Sequence, residues 1–522
     1  MKVLITTSGL GNRLGNITKF TNKSLVRLGK VAAITRIIDR YPLNTEFIVT
    51  LGYYGNHVRE YLQLAHNDKN ITLINVDKYE GKGSSLLYSI YCAKDYLQSQ
   101  FVYHACDSVV DEDINFGDGN VCICAWNDDT SQYRTVLTMN NKIVGIEDKG
   151  SLISNLAQIG VTKIEDYSLF WSCAEKLLND FSEDSSLSDC HVITKMIENG
   201  SSFNVIYTTE WYDIGNSKSI GVAKEKFELT SKFKILDKEK ENIFIFDKYV
   251  VKFFHDHDIV KNRVGRLDYL GGYGPKLLNY TDNFYKYEYV EGQLASHNKD
   301  VDVFYNFLLD LKQNFWKLID VTDIFHQKTE KFYFDKTKDR VNDFYKQVDN
   351  RYENLVINGK QLDGFDRLMG KLPEHFICTE TKTQFHGDFI LDNLIIQGNK
   401  VKFLDWRQDF CGDIDGGDIY YDLAKMNHSL YFDHGLVSAD HFEVVERGED
   451  VNIELLCKFS SILKKQKYNQ FLEENGFDIN KIDILSSIIM LNMSPLHIYP
   501  LNKFLYFLGM YTLQTKIDNL KL

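Results

Sequence analysis

The first 230 residues alternate short apolar runs with segments of helical length, and this rhythm constrains the fold more than any other feature. KVLITTS, EFIVTLGYY, TLINVDKY, FVYHACDSVV and NVCICAW follow one another in this way. Parallel strands covered by helices on both faces read as continuous apolar runs, so the pattern predicts an α/β domain with a Rossmann-like, mainly parallel sheet. Over 231–242 the chain turns lysine-rich and polar, the composition of a domain junction. IFIFDKYVVKFF then reads as a β-hairpin turning at Asp247–Lys248. Beyond residue 300 long helical segments dominate, interrupted by LIIQG and KVKFLDW, an α+β pattern. The expected division is a first domain over 1–230, a junction over 231–242 and a second domain over 243–522. Within the second, a small lobe is expected near 243–292 and a large helical lobe near 293–522.

Composition narrows the function. Lys and Arg number 60 against 73 Asp and Glu, a net charge of −13 that repels a phosphate backbone, so no nucleic-acid partner is expected. No run reaches the ~18 apolar residues of a membrane span, and the opening MKVLITTSGLGNRLG reads as a strand and loop rather than a signal peptide. Nine cysteines fall singly apart from Cys122 and Cys124, with neither a disulfide framework nor a zinc spacing. That pair is expected on one face of a strand as small buried hydrophobes. A reduced, cytoplasmic protein without membrane insertion is the expectation, and a homo-oligomer is compatible with it.

The first strand runs into Ser8-Gly9-Leu10-Gly11-Asn12-Arg13-Leu14-Gly15. Glycines after a strand let backbone N–H groups approach phosphate oxygens, and Arg13 adds a forked cation. The spacing is neither the dinucleotide fingerprint nor a Walker loop. Lys23 supplies a second cation.

These residues resemble the nucleotidylyltransferase family that activates sugar phosphates and phosphocholine. Gly9, Gly11, Arg13, Lys23, Gly29 and Lys30 match its opening motif, with Asn22 and Val31 standing where its prolines usually do. The resemblance implies a nucleotidyltransferase fold over about 220 residues, with Ser8, Gly9, Gly11, Gly81, Gly83 and Ser84 on the nucleotide. It makes Asp107 and Asp213 the magnesium ligands, and it places Lys149 and Gly160 on the acceptor side. The chemistry suits the residue types: attack of one phosphate on another needs its charge neutralised by metal, Arg and Lys.

A second constellation is FHGDFILDNLII followed by KFLDW, in which His386, Asp388 and Asn393 are spaced H-x-D-x-x-x-x-N and Asp405 follows twelve residues later. A carboxylate beside an attacking hydroxyl, with an amide and an acid for metal, is what phosphoryl transfer requires. The segment resembles the aminoglycoside phosphotransferase and choline kinase family, relatives of protein kinases. By that resemblance Asp388 is the base, Asn393 and Asp405 hold magnesium, and His386 and Asp422 support the loop. Lys252 meets ATP phosphates, and Tyr289 to Glu291 meet the adenine. The glutamate that usually partners the lysine has no clear counterpart, Asp268 being only a candidate. Arg407 is an acceptor-side candidate: facing the pocket it disfavours choline and favours a sugar, polyol or anionic acceptor, and paired with Asp409 or Asp413 it leaves choline open.

The economical reading is a bifunctional enzyme. The second domain phosphorylates a small hydroxyl compound with ATP, and the first couples the product to an NTP, releasing pyrophosphate. CTP with choline or a similar amino alcohol is the leading expectation, giving a precursor for surface polysaccharide or lipid such as capsule or lipopolysaccharide. A sugar or polyol kinase fused to a sugar-phosphate nucleotidylyltransferase is the alternative, and a non-catalytic scaffold a remote one.

Overall fold

The computed structural model describes residues 1–229, 238–321, 324–432, 437, 441–456 and 458–520. Most of the expected junction at 231–242 therefore lies outside the described residues. Packing divides the chain into two compact units: one holds 1–260 and 278–289, the other 261–277 and 290–522.

Nine strands form the first unit's main sheet: β1 Lys2–Thr6, β2 Glu46–Leu51, β3 Asn70–Asn75, β4 Phe101–Ala105, β5 Asn120–Trp126, β6 Thr135–Met139, β7 Lys142–Glu147, β8 Leu156–Ile164 and β9 Phe203–Tyr207. Their order is β3-β2-β1-β4-β8-β5-β9-β7-β6. Alternation sends Val3 and Ile5 into one hydrophobic core and Leu4 into another, across the sheet. Cys122 and Cys124 share the second core as expected, with Val121 and Ile123 in the first.

The expected mainly parallel sheet is in fact mixed. The first four strands are parallel, but β8 runs antiparallel to both β4 and β5. The strands β6 and β7 form a hairpin whose turn residues Asn140 and Asn141 both have positive φ, 52° and 59°. Two such residues make the tight turn that reverses a strand at once.

The hairpin Glu241–Ile245 and Tyr249–Phe254 forms in the predicted register and is joined by Phe284–Glu288. These strands, expected in a separate small lobe, belong to the first unit. Phe244, Val251, Phe253 and Phe284 enter the same core as the main sheet, and the Phe244 ring lies 4.8 Å from Tyr61. The Tyr249 hydroxyl also donates to the Ala65 carbonyl at 2.7 Å.

The second unit is built on the helices Val301–Asn314, Lys336–Val348, Ile419–Tyr431, Phe459–Glu474, Ile479–Met493 and Leu501–Asn519. The predicted strands Leu394–Gln397 and Lys400–Phe403 pair as a hairpin. A four-stranded sheet of Lys360–Leu362, Leu355–Ile357, Asp450–Leu455 and Phe442–Arg447 was not expected. No described helix is long and apolar enough to cross a membrane.

Buried histidines give the fold a pH dependence. His104 is saturated as a neutral ring: Tyr41 donates to Nδ1 at 2.7 Å and Nε2–H donates to the Ser108 carbonyl at 2.8 Å. Burial pulls His57, His66, His104 and His386 each down to about 4. Below pH 6.5 the unfolded chain takes up protons that the folded chain refuses, so stability falls as pH drops from 6.5 toward 4. For His104 alone the full effect is about 3 kcal/mol. Burial pushes Asp189 and Asp422 up to about 6, which acts in the opposite direction, but four histidines outweigh two acids. The thermal midpoint is expected to fall between pH 7 and pH 5; a midpoint that holds or rises would contradict this.

Candidate active sites

The first site forms where β1 and β4 end. Ser8, Gly9, Arg13, Lys23, Ser84 and Asp107 line one cavity of about 310 Å³. Gly11 carries φ 71°, a conformation favourable to glycine, and the Arg13 turn follows it. Asn22 is fully buried and fixes the Lys23 turn through four bonds. Its amide donates to the carbonyls of Thr7 at 2.8 Å and Tyr53 at 2.6 Å. Its oxygen accepts from the Ser24 N–H at 2.9 Å and the Ser24 hydroxyl at 2.8 Å.

Asp107, Asp213 and Arg13 converge. A Cβ on Gly215 would lie 3.0 Å from Asp213 Oδ1, 3.1 Å from Asp107 Oδ2 and 3.2 Å from Arg13 Nη2. Only a glycine leaves that point open. Lys23 Nζ sits 2.9 Å from Asp107 Oδ2. Burial would raise the Asp107 carboxyl, but Lys23 outweighs it and holds the acid below its ordinary range. Burial opposes the Lys23 charge in turn, yet Asp107 keeps it protonated above the ordinary lysine range. Asp213 is oriented by the Tyr133 hydroxyl at 2.8 Å, the Asn216 amide at 2.9 Å and the Gly215 N–H at 2.8 Å. Two carboxylates offering only oxygen, at one point, suit a magnesium ion completed by substrate phosphates. Among the described residues no group of three or more His, Cys, Asp or Glu could hold a metal.

The remaining predicted residues fall around this centre. Gly81 and Gly83 have φ of 76° and 77° in the loop that ends at Ser84, whose hydroxyl donates to the Gly81 carbonyl at 2.7 Å. Burial lowers the Lys149 ammonium, and the positive fields of Arg13 and Arg134 lower it further. Arg134, which no motif signalled, donates to Ser188 Oγ at 2.9 Å. A Cβ on Gly160 would lie 2.8 Å from the Ala105 Cβ, so this glycine lets β8 pass the strand end that carries Asp107. Gly29 and Lys30 stand outside the cavity lining. A Cβ on Gly29 would strike the Phe227 carbonyl at 2.6 Å, and Lys30 pairs with Asp247 at 2.9 Å.

The second site is a loop held from behind. Asp422, fully buried, accepts from the N–H groups of His386 and Gly387, both at 2.7 Å, and from the Trp316 indole at 3.1 Å. His386 accepts the Asp388 N–H on Nδ1 at 3.1 Å, so its Nε2–H donates to the Leu404 carbonyl at 2.9 Å. The Asn393 amide donates to the Asp388 carbonyl at 2.9 Å and to Asp388 Oδ2 at 3.0 Å. That leaves the Asn393 oxygen, rather than its nitrogen, to meet a cation, as a metal ligand requires. Lys425 Nζ lies 2.8 Å from Asp388 Oδ1. Burial would raise the Asp388 carboxyl, but Lys425 holds it low and ionised.

Asp405 has φ 51°, unusual for a residue with a side chain, and pairs with Arg263. Arg266, also fully buried, donates to the carbonyls of Phe385, His386, Arg407 and Ile414. The segment KNRVGRLDYL thus contributes Arg266 to the Asp388 loop and Arg263 to Asp405. Lys252 lies on Tyr249–Phe254 and is buried, opposite Tyr285. The Tyr289 N–H donates to the Lys248 carbonyl at 2.9 Å, and the Glu291 carbonyl accepts from the Gln397 amide at 2.7 Å.

Arg407 lines a cavity in the second unit, and its Nε donates to the Asp409 backbone carbonyl at 2.8 Å. Asp413 is held instead by Lys328 and Lys382. Among the described residues neither Asp409 nor Asp413 forms an ion pair with Arg407.

No protein-family model and no curated protein matches the chain. The N-terminal part resembles solved nucleotidyltransferases at a distance. CTP:phosphocholine cytidylyltransferase from Streptococcus pneumoniae is 19% identical over 43% of this chain and 98% of its own, with a TM-score of 0.38. A putative glucose-1-phosphate thymidylyltransferase from Bacillus anthracis is 20% identical over 46% and 98%, also at 0.38. The inositol-1-phosphate CTP transferase from T. maritima is 18% identical over 44% and 98%, at 0.35. At such scores the activity of this chain rests on its own residues.

Proposed function

We propose that the chain is an enzyme with two consecutive activities. The second unit's Asp388 loop phosphorylates a small hydroxyl compound with ATP. The first unit's cavity then joins that phosphate to the α-phosphate of an NTP and releases pyrophosphate. The observation that carries the reading is the meeting of Asp213, Asp107 and Arg13 around Gly215, with Lys23 on Asp107.

In the first activity, Asp388 takes the proton of the acceptor hydroxyl as its oxygen attacks the γ-phosphorus, and ADP leaves. Asn393 and Asp405 would hold magnesium, which neutralises phosphate charge. Glu291 is the residue of the second unit proposed for ATP, while Lys252 and Tyr289, which the resemblance also gave to ATP, belong to the first unit. In the second, Arg13 and Lys23 meet the triphosphate, Asp107 and Asp213 would hold magnesium, and Ser8, Gly9, Gly11, Gly81, Gly83 and Ser84 frame the nucleotide. Lys149 and Arg134 add positive charge for the incoming phosphate, and Gly160 shapes the wall beside it. CTP is the nucleotide proposed first, on the strength of the motif resemblance. The cavity wall at Arg407 argues for a sugar, polyol or acid over choline. The product is a nucleotide-activated building block, suited to surface polysaccharide or lipid.

The test is incubation with ATP, magnesium and each of CTP, UTP, GTP and dTTP against choline, ethanolamine, glycerol, ribitol and common hexoses, with products read by mass. A nucleoside diphosphate joined to an acceptor supports the reading. Formation of pyrophosphate and phosphorylated acceptor on neither unit, with no ATP consumed, would overturn it.

A further inference from the structure

The cavity lined by Lys425, the ion-pair partner of Asp388, has a charge that the two proposed reactions do not explain. It measures about 140 Å³ and is lined by Lys336, Arg340, Arg407 and Lys425 among aromatic and apolar residues such as Phe332 and Tyr421. Among the described residues no carboxylate lines it. Its link to the Asp388 loop is direct. Lys425 reaches Asp388 Oδ1 at 2.8 Å. The Arg407 N–H donates to the His386 carbonyl at 3.0 Å, and a Cβ on Gly387 would strike the Arg407 Cβ at 2.5 Å.

The cations have few anions of their own. Lys425 is matched by Asp388, and Arg407 spends its Nε on a neutral carbonyl. Lys336 and Arg340 have no carboxylate partner among the described residues. Lys336 Nζ and the Arg407 guanidinium instead lie over the Phe332 ring, 4.1 Å and 5.1 Å from its centre. Burial first, with Arg407, Lys425 and Arg340 adding to it, pushes the Lys336 ammonium down to about 6, and an anion bound beside it would favour its charged form. A quaternary ammonium placed here would add one more positive charge. An anion would relieve the crowding, and the forked arginines suit a phosphate or carboxylate.

We infer that this cavity binds the acceptor, and that the acceptor is itself an anion: a hydroxyl compound that already carries a phosphate monoester or a carboxylate. The inference rests on the proposed phosphorylation at Asp388. Lys336 and Arg340 grip the acidic group, and Arg407 and Lys425 turn the hydroxyl toward Asp388. The base takes the hydroxyl proton, the oxygen–phosphorus bond forms, and the bond to ADP breaks. The product then carries a new phosphate and the original acidic group.

The experiment uses the full chain in two arms. In the first, ATP-dependent phosphorylation is compared within matched sets: glycerol, glycerate and glycerol 3-phosphate; glucose and glucose 6-phosphate; and choline. An anionic member is expected to exceed its neutral twin by about 10- to 100-fold in kcat/KM. Arg340→Ala and Lys336→Met are expected to erase that preference. In the second arm, inorganic phosphate binding is counted by equilibrium dialysis. Each variant is expected to lose one site relative to the native chain. The inference is overturned if both variants bind as much phosphate as the native chain, or if choline or a neutral acceptor is used as well as the anions. Failure of the phosphorylation reading looks different: Asp388→Asn would leave phosphate transfer unchanged while phosphate binding still depended on Arg340.

Discussion

Asp107→Asn is expected to cut pyrophosphate release by about 10³-fold or more, while leaving ATP-dependent phosphorylation intact. The substitution keeps the size of the side chain and removes its charge. That charge has two duties. Its Oδ2 reaches the point near Gly215 that Asp213 and Arg13 also reach, and it neutralises Lys23 at 2.9 Å. Losing it removes one of the two carboxylates proposed to hold magnesium and frees Lys23 from its partner. A purely structural role would also weaken the fold, and a second substitution separates the two. Adding Lys23→Met removes the unpaired buried cation, so the double variant is expected to recover thermal stability but not activity. Recovery of pyrophosphate release in that variant would make the Asp107–Lys23 pair structural. The readout is a coupled pyrophosphate assay supplied with an acceptor that has already been phosphorylated, so the second unit plays no part.

Asp388→Asn gives the complementary result. Phosphorylation of the acceptor is expected to fall about 10²- to 10⁴-fold, the range for loss of a general base, with pyrophosphate release from pre-phosphorylated acceptor unchanged. The loop itself should survive. Its frame is the pair of bonds from the His386 and Gly387 N–H groups to Asp422, the Arg266 contacts and the Asn393 bond to the Asp388 carbonyl. None of them uses the Asp388 side chain. If the variant kept full phosphorylation with a normal thermal midpoint, Asp388 would not be the base.

Much of the first site was legible because its residues lie beside one another in sequence or at strand ends. Gly9, Gly11, Arg13 and Lys23 fall within one turn-rich stretch, and Asp107 follows an apolar strand directly. Arg134 was not legible, because only folding brings β6 and the helix Asp189–Glu198 together around it. Lys425 could have been found: it stands three residues after Asp422 on the same helix, so one turn faces both toward the Asp388 loop. Arg263 and Arg266 were hidden by the search for an acid in their segment. The sheet's strands were read as mainly parallel, since an apolar run such as NVCICAW says that a strand is buried but not which way its neighbour runs. The alternation in YVVKFF likewise announced a strand without naming the core that Val251 and Phe253 would enter.

The central claim is that phosphate made at one site is consumed at the other, and transfer of label tests it most directly. The chain would be given ATP labelled in the γ-phosphate, unlabelled CTP or another NTP, magnesium and an acceptor, and the nucleotide product cleaved to locate the label. The account predicts label in the phosphate next to the acceptor and unlabelled pyrophosphate. A nucleotide product without label, or label recovered in pyrophosphate, would contradict it.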